Sequence, residues 1–84
     1  MTKLAISIQP FAMKQKAYLY KDNTHLSTFT FDLTNNFATE ISAICKRYNV
    51  DTVLIKGNKS FMEKYVNQLK SNYDMDNVTI KFID

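Results

Sequence analysis

The sequence predicts a small α/β (α+β) domain, βββαβαβ in order, with a mixed five-stranded sheet and two helices. Three observations carry that expectation. The first 33 residues hold three alternating apolar–polar runs joined by turn-forming residues. Two later stretches repeat apolar residues at helical spacing. Each of those stretches is followed by a further strand-like run, first Val53-Leu54-Ile55 and then Val78, Ile80 and Phe82.

Lys3–Ile8 sets Leu4, Ile6 and Ile8 against Lys3, Ala5 and Ser7. One face is strongly apolar and the other small, the pattern of a strand covered on both sides. Gln9-Pro10 closes it, because proline cannot donate to a ladder. Lys16–Tyr20 is the second strand, with Ala17 and Leu19 on one face and Tyr18 and Tyr20 on the other. Lys21–Thr24 supplies a hairpin turn, since Asp and Asn tolerate left-handed backbone. The third strand, about Leu26–Leu33, alternates Phe29, Phe31 and Leu33 with Thr28, Thr30 and Asp32.

Thr34, Asn35 and Asn36 are helix N-capping types, and Glu40 falls near the positive end of the helix dipole. Phe37, Ile41, Ile44, Cys45 and Tyr48 share one face, with Lys46 and Arg47 in the last turn and Asn49 as C-cap. Thr52–Lys56 has an unbroken apolar centre, as expected of a parallel strand buried on both faces. Asn58 caps a second helix whose apolar positions are Phe61, Met62, Tyr65, Val66, Leu69 and Tyr73. A last alternating strand follows Asn77.

At 84 residues the chain predicts one domain, 1–84. A domain of this size buries roughly 60–65% of its unfolded surface, so self-association would add stability. Hydrophobic residues at 45% and charged residues at 23% exclude disorder. The formal charge is +3, from eleven Lys+Arg against eight Asp+Glu. Only Arg47 is arginine, so the balance permits a nucleic-acid partner without indicating one. A single cysteine, Cys45, excludes an internal disulfide and a cysteine zinc cluster. No signal-like segment and no apolar run of ~18 residues occurs, which predicts a cytoplasmic protein with no membrane contact. Many Asn, Lys, Tyr and Phe point to an AT-rich coding source, such as a low-GC bacterium or its phage.

The order of elements from Leu4 to Ile83 resembles the ribonuclease-H-like fold superfamily, in which a meander with a central first strand precedes helix, strand, helix and strand. In nucleases of that superfamily, the resemblance implies carboxylates on the first strand, first helix and fourth strand holding two divalent metals. Here the first strand, Lys3–Gln9, has no Asp or Glu. Glu40 occupies the helix position, and the fourth strand ends in Lys56. The resemblance therefore implies the fold without its metal site. Related sugar-kinase and actin-like ATPases bind phosphate through Asp and Gly in the first hairpin, and Gln9-Pro10-Phe11 carries neither.

Other candidate sites are weaker than their structural explanations. Gly57, Asn58 and Lys59, between strand and helix, could cradle an anion, but a lone glycine followed by a capping Asn also reads as a turn. His25 has no nucleophile near it and reads as a solvated turn residue. Cys45 reads as a small core hydrophobe. Tyr18 and Tyr20, with Lys14, Lys16 and Lys21 close by, form the best nucleic-acid candidate unless a helix or subunit covers them. Phe11 and Met13 in a connection either fold back onto the core or meet another chain. Thr28 and Thr30, if at a sheet edge, offer a pairing surface for a second copy.

The sequence thus predicts a protein that is not an enzyme and has no cofactor or metal. It is expected to bind another protein or a second copy of itself, as a cytoplasmic regulatory homodimer. The alternative is a nucleic-acid module using Lys14, Lys16, Tyr18 and Tyr20. A phosphoesterase built on Glu40 is the least favoured reading, because two-metal chemistry needs more than one carboxylate.

Overall fold

The computed structural model describes residues 1–9, 14–32, 36–72 and 75–83. The elements are β1 (Thr2–Ser7), β2 (Gln15–Lys21), β3 (Thr24–Phe31), α1 (Phe37–Tyr48), β4 (Thr52–Lys56), α2 (Lys59–Lys70) and β5 (Thr79–Ile83). They form one mixed sheet in the order β3-β2-β1-β4-β5. β1 pairs antiparallel with β2 and parallel with β4, and β4 pairs parallel with β5. The predicted α/β class, βββαβαβ order and central first strand are all present.

The β2–β3 joint is a two-residue hairpin with Asp22 at φ 51° and Asn23 at φ 68°. Two successive positive φ values match the right-handed twist of the flanking strands, and Asp and Asn reach them at low cost. Asn49 ends α1 in left-handed backbone, and the Val50 N–H closes the cap on the Cys45 carbonyl at 2.9 Å.

Both helices lie on one face of the sheet. Buried Phe37, Ile41 and Cys45 of α1 and Met62, Val66 and Leu69 of α2 join one core with Leu4, Ile6, Leu19, Val53 and Ile55. The topology explains this placement. The connections from β3 to β4 and from β4 to β5 run in the same direction across the sheet, and crossovers of one hand moving one way arrive on one side. Phe37 ties the layers together, its ring centroid 5.6 Å from Phe31 and 5.7 Å from Tyr65.

This arrangement corrects the expectation that the first and fourth strands are covered on both sides. Leu4, Ile6, Val53 and Ile55 are fully buried under the helices, whereas Ala5, Ser7 and Leu54 are only half-buried on the other face. The run Val53-Leu54-Ile55 has the composition of a doubly buried strand, yet no element among the described residues covers Leu54. Phe61 also departs from expectation: it is exposed on α2, its ring tilted against that of Tyr65 with centroids 5.9 Å apart.

Two residues hold the loop ends. The buried Gln15 side chain accepts from the Gln9 N–H at 2.8 Å and donates to the Gln9 carbonyl at 2.9 Å, closing the β1–β2 connection. Gly57 lies where β4 turns into α2. A Cβ there would stand 2.7 Å from the Ile8 carbonyl oxygen and 2.7 Å from the Met62 sulfur. Gly57→Ala is therefore expected to destabilise the domain by about 1–3 kcal/mol through overpacking, lowering Tm by roughly 4–8 °C per kcal/mol. A melting curve identical to wild type would contradict that close approach.

Candidate functional site: the helix-free sheet face

Strand alternation and the pairing registers place a defined set of side chains on the face that no helix among the described residues covers. Its central row runs Thr28, Tyr18, Ala5, Leu54, Lys81 across the five strands. The row towards the carboxyl ends of β1 and β4 is Thr30, Lys16, Ser7, Lys56, Ile83. The opposite row is His25, Tyr20, Lys3, Thr52, Thr79. Lys3, Lys16, Lys56 and Lys81 thus surround Ala5 and Leu54, and no Asp or Glu occupies a position in these rows. Removing those four lysines from a formal charge of +3 leaves the rest of the chain net negative. These four lysines therefore exceed the formal net positive charge of the chain.

Two depressions open on this side. One, of about 320 Å³, is floored by Ala5, Leu54, Ile83 and Tyr18, with Ser7 and Lys56 at its margin. The other, of about 220 Å³, is polar and is lined by Gln9, Lys14, Gln15 and Lys16 as well as Ser7 and Tyr18. Shared Ser7 and Tyr18 make them neighbours. At the β2–β3 side, His25 lies between the two tyrosines, with ring centroids 6.1 Å from Tyr18 and 5.5 Å from Tyr20. The Lys3 ammonium stands 5.7 Å from the Tyr20 ring centroid, within cation–π range.

Of the residues expected to bind a partner, Lys16, Tyr18 and Tyr20 come together on this face. No helix among the described residues covers the tyrosines, which removes one of the two ordinary explanations for them. Lys14 lines the polar depression beside Lys16 and Tyr18, with its Nζ 2.8 Å from an Asp32 carboxylate oxygen. Lys21 follows the parity of Ala17 and Leu19 and lies off this face. Phe11 and Met13 lie outside the described residues. Thr28 and Thr30 are on β3, which is an edge strand.

His25 is a strand residue, which corrects its reading as a turn residue. Leu19 pairs with Ser27 but Tyr20 pairs with His25, so Leu26 is an extra residue in a β-bulge. Without the bulge, His25 would share the parity of Phe29 and Phe31 and face the core. Its Nε2 lies 2.9 Å from the Thr28 hydroxyl. The bulge also leaves Leu26 exposed and interrupts the β3 edge, a device that discourages edge-to-edge pairing.

The α2 start carries the features of a capped turn. Asn58 Oδ1 accepts from the Phe61 N–H at 3.1 Å, while Gly57 is fixed by its approach to Ile8. Lys59 is exposed in the first turn. Glu40 is exposed in the first turn of α1, beside Phe29, Thr30 and Phe31 of the edge strand. Lys56 stands at the end of β4, so no second carboxylate joins Glu40 from there. Among the described residues, no three His, Cys, Asp or Glu side chains come together as a metal site. No helix among them is long and apolar enough to cross a membrane.

Cys45 is the free thiol, and burial pushes its pKa up to about 12. The thiolate is the reactive form. Native protein at pH 8 is therefore expected to react with a thiol reagent far more slowly than unfolded protein. Equal rates in the two states would contradict the burial.

No family model matches the chain, and no curated protein does. A solved structure from Bacteroides thetaiotaomicron VPI-5482, described as a protein with actin-like ATPase fold and unknown function, aligns with TM-score 0.74 at 15% identity. The alignment covers 98% of this chain and 32% of that one, so this chain spans about a third of its neighbour's length. The chain is thus a small α/β domain of the actin-like, ribonuclease-H-like fold. At that identity the likeness concerns the fold alone.

Proposed function

We propose that this chain is a non-catalytic binding domain that works through protein–protein contact at its helix-free sheet face. The observation that supports the reading most is Leu54, an aliphatic side chain central to the sheet and half-buried with no covering element among the described residues. Its strand has the apolar composition of one buried on both sides. A partner that covers Leu54, Ala5 and Ile83 would give those side chains the environment their pattern suits. The scattered carboxylates and capped α2 terminus favour binding over catalysis. A regulatory role in the cytoplasm follows from the same reading, with Cys45 held as a buried, unreactive thiol.

A second copy is disfavoured on this face, because a symmetric pairing would oppose two sets of lysines with no facing carboxylate. A homodimer would use another surface. The test is affinity capture from the source cells with wild type, Leu54→Thr and Lys46→Glu, the last altering an exposed lysine on α1. Proteins retained by wild type and Lys46→Glu but lost by Leu54→Thr are expected. Identical capture by all three variants would remove the reading.

One observation favours a nucleic-acid partner instead: the Tyr18–His25–Tyr20 cluster beside Lys3 and Lys16. Aromatic rings can stack bases while lysines hold phosphates. That reading requires retention on single-stranded DNA at low salt and steep release as salt rises. No retention would dispose of it.

A further inference from the structure

The protein partner proposed for the helix-free face has a chemistry that the face itself specifies. We infer that the occupant is an acidic amphipathic helix, seated with its apolar stripe on Ala5, Leu54 and Ile83 and its carboxylates towards Lys16, Lys56 and Lys81. This rests on the protein-binding reading above and narrows it to one class of ligand.

Backbone chemistry selects the helix. β1 and β4 are interior strands, each paired on both sides, so the face over them offers side chains and no free ladder groups. A segment lying there must satisfy its own backbone, which a helix does and an extended peptide does not. Dimensions agree. From β2 to β5 is three strand spacings, roughly 14–15 Å, room for the about 10–12 Å diameter of one helix lying along the strands between Lys16 and Lys81. The depression of about 320 Å³ over Ala5, Leu54 and Ile83 gives an apolar floor for one stripe of such a helix.

Charge selects the acidic flanks. Lys16 borders the floor on the β2 side, Lys56 on the carboxyl-end side and Lys81 on the β5 side. No carboxylate occupies the face positions. A helix with Glu or Asp on both sides of its apolar stripe would meet a cation on each flank. The same ring of lysines opposes a second copy. Ala5, Leu54 and Ile83 make most of the floor aliphatic, which suits a helix, whereas stacking bases would find only Tyr18 there and the rest of the aromatic cluster at the β2–β3 side.

The experiment titrates the isotope-labelled chain at low salt with a peptide of about twelve residues, leucines at helical spacing and glutamates on both flanks. Two control peptides scramble the leucine positions or replace each glutamate with lysine, and an oligothymidylate forms the fourth arm. The amphipathic acidic peptide is expected to shift the amides of Ala5, Leu54 and Ile83. Both control peptides should bind at least tenfold more weakly. Leu54→Thr, which keeps a strand-compatible residue, should weaken the acidic peptide at least tenfold, and Lys56→Glu with Lys81→Glu should do so by another route.

Equal binding of the scrambled peptide would reduce the effect to charge and overturn the inference. Shifts confined to α1 and α2 would overturn it as well. Tighter binding by oligothymidylate than by any peptide would assign the face to nucleic acid. Absence of peptide binding, with Leu54-dependent protein capture retained, would overturn the helix while leaving the protein-binding reading in place. Absence of both would remove the two together.

Discussion

Lys56→Glu combined with Lys81→Glu is expected to weaken partner binding by more than about a hundredfold while leaving the fold intact. Like-charge juxtaposition at an interface costs several kcal/mol, and each reversal converts one attractive contact into a repulsive one. Folding should be nearly unaffected, because both lysines are exposed. Their cross-strand neighbours are Ile83 and Leu54, so no ion pair is lost across the strands. Exposed substitutions of this kind stay within about 0.5 kcal/mol. Salt gives an internal check: wild-type binding should weaken as salt rises, and the variant should lose that dependence or reverse it. Isothermal titration at two ionic strengths measures both. A variant that binds as tightly as wild type would remove the charge component of the account.

Phe37→Ala carries the largest expected effect on stability. The ring is fully buried in the first turn of α1, in contact with Phe31 of β3 and Tyr65 of α2. Truncation leaves a cavity where sheet and both helices meet, at a cost of about 3–5 kcal/mol. Stabilities of about 0.05–0.15 kcal/mol per residue make that a large share of what holds so short a chain. Tm should fall by at least about 12 °C, since each kcal/mol is worth roughly 4–8 °C in a domain of this size. A drop of only a few degrees would show that Phe37 does not bridge the layers as described.

The residues explain why the fold was legible from sequence while the site was only partly so. The alternation of Leu4, Ile6 and Ile8, the unbroken Val53-Leu54-Ile55 and the helical spacing from Phe37 to Tyr48 are local patterns, and local patterns define elements. Their order then restricts topology through the handedness of crossovers. Lys16, Tyr18 and Tyr20 could be grouped because one strand carries all of them.

Lys3, Leu54, Lys56 and Lys81 could not be grouped, because they meet only through the β1–β4–β5 registers. His25 was hidden for a different reason. A single extra residue, Leu26, reverses strand parity ahead of it, and no composition signal marks a bulge at that position. The double covering expected of β1 and β4 was a sound reading of composition. Both crossovers run in one direction and put both helices on one face, so no helix among the described residues covers the other. That mismatch between a strand's composition and its surroundings is what identifies the surface.

The central claim, that a protein partner sits over Leu54, is tested most directly by photo-cross-linking in the source cells. Benzoylphenylalanine is placed at position 54 in one variant and at position 63, the exposed Glu63 of α2, in another. The account predicts a defined cross-linked protein from position 54 and none of that mass from position 63. Cross-links of equal yield from both positions, or none from position 54, would contradict it.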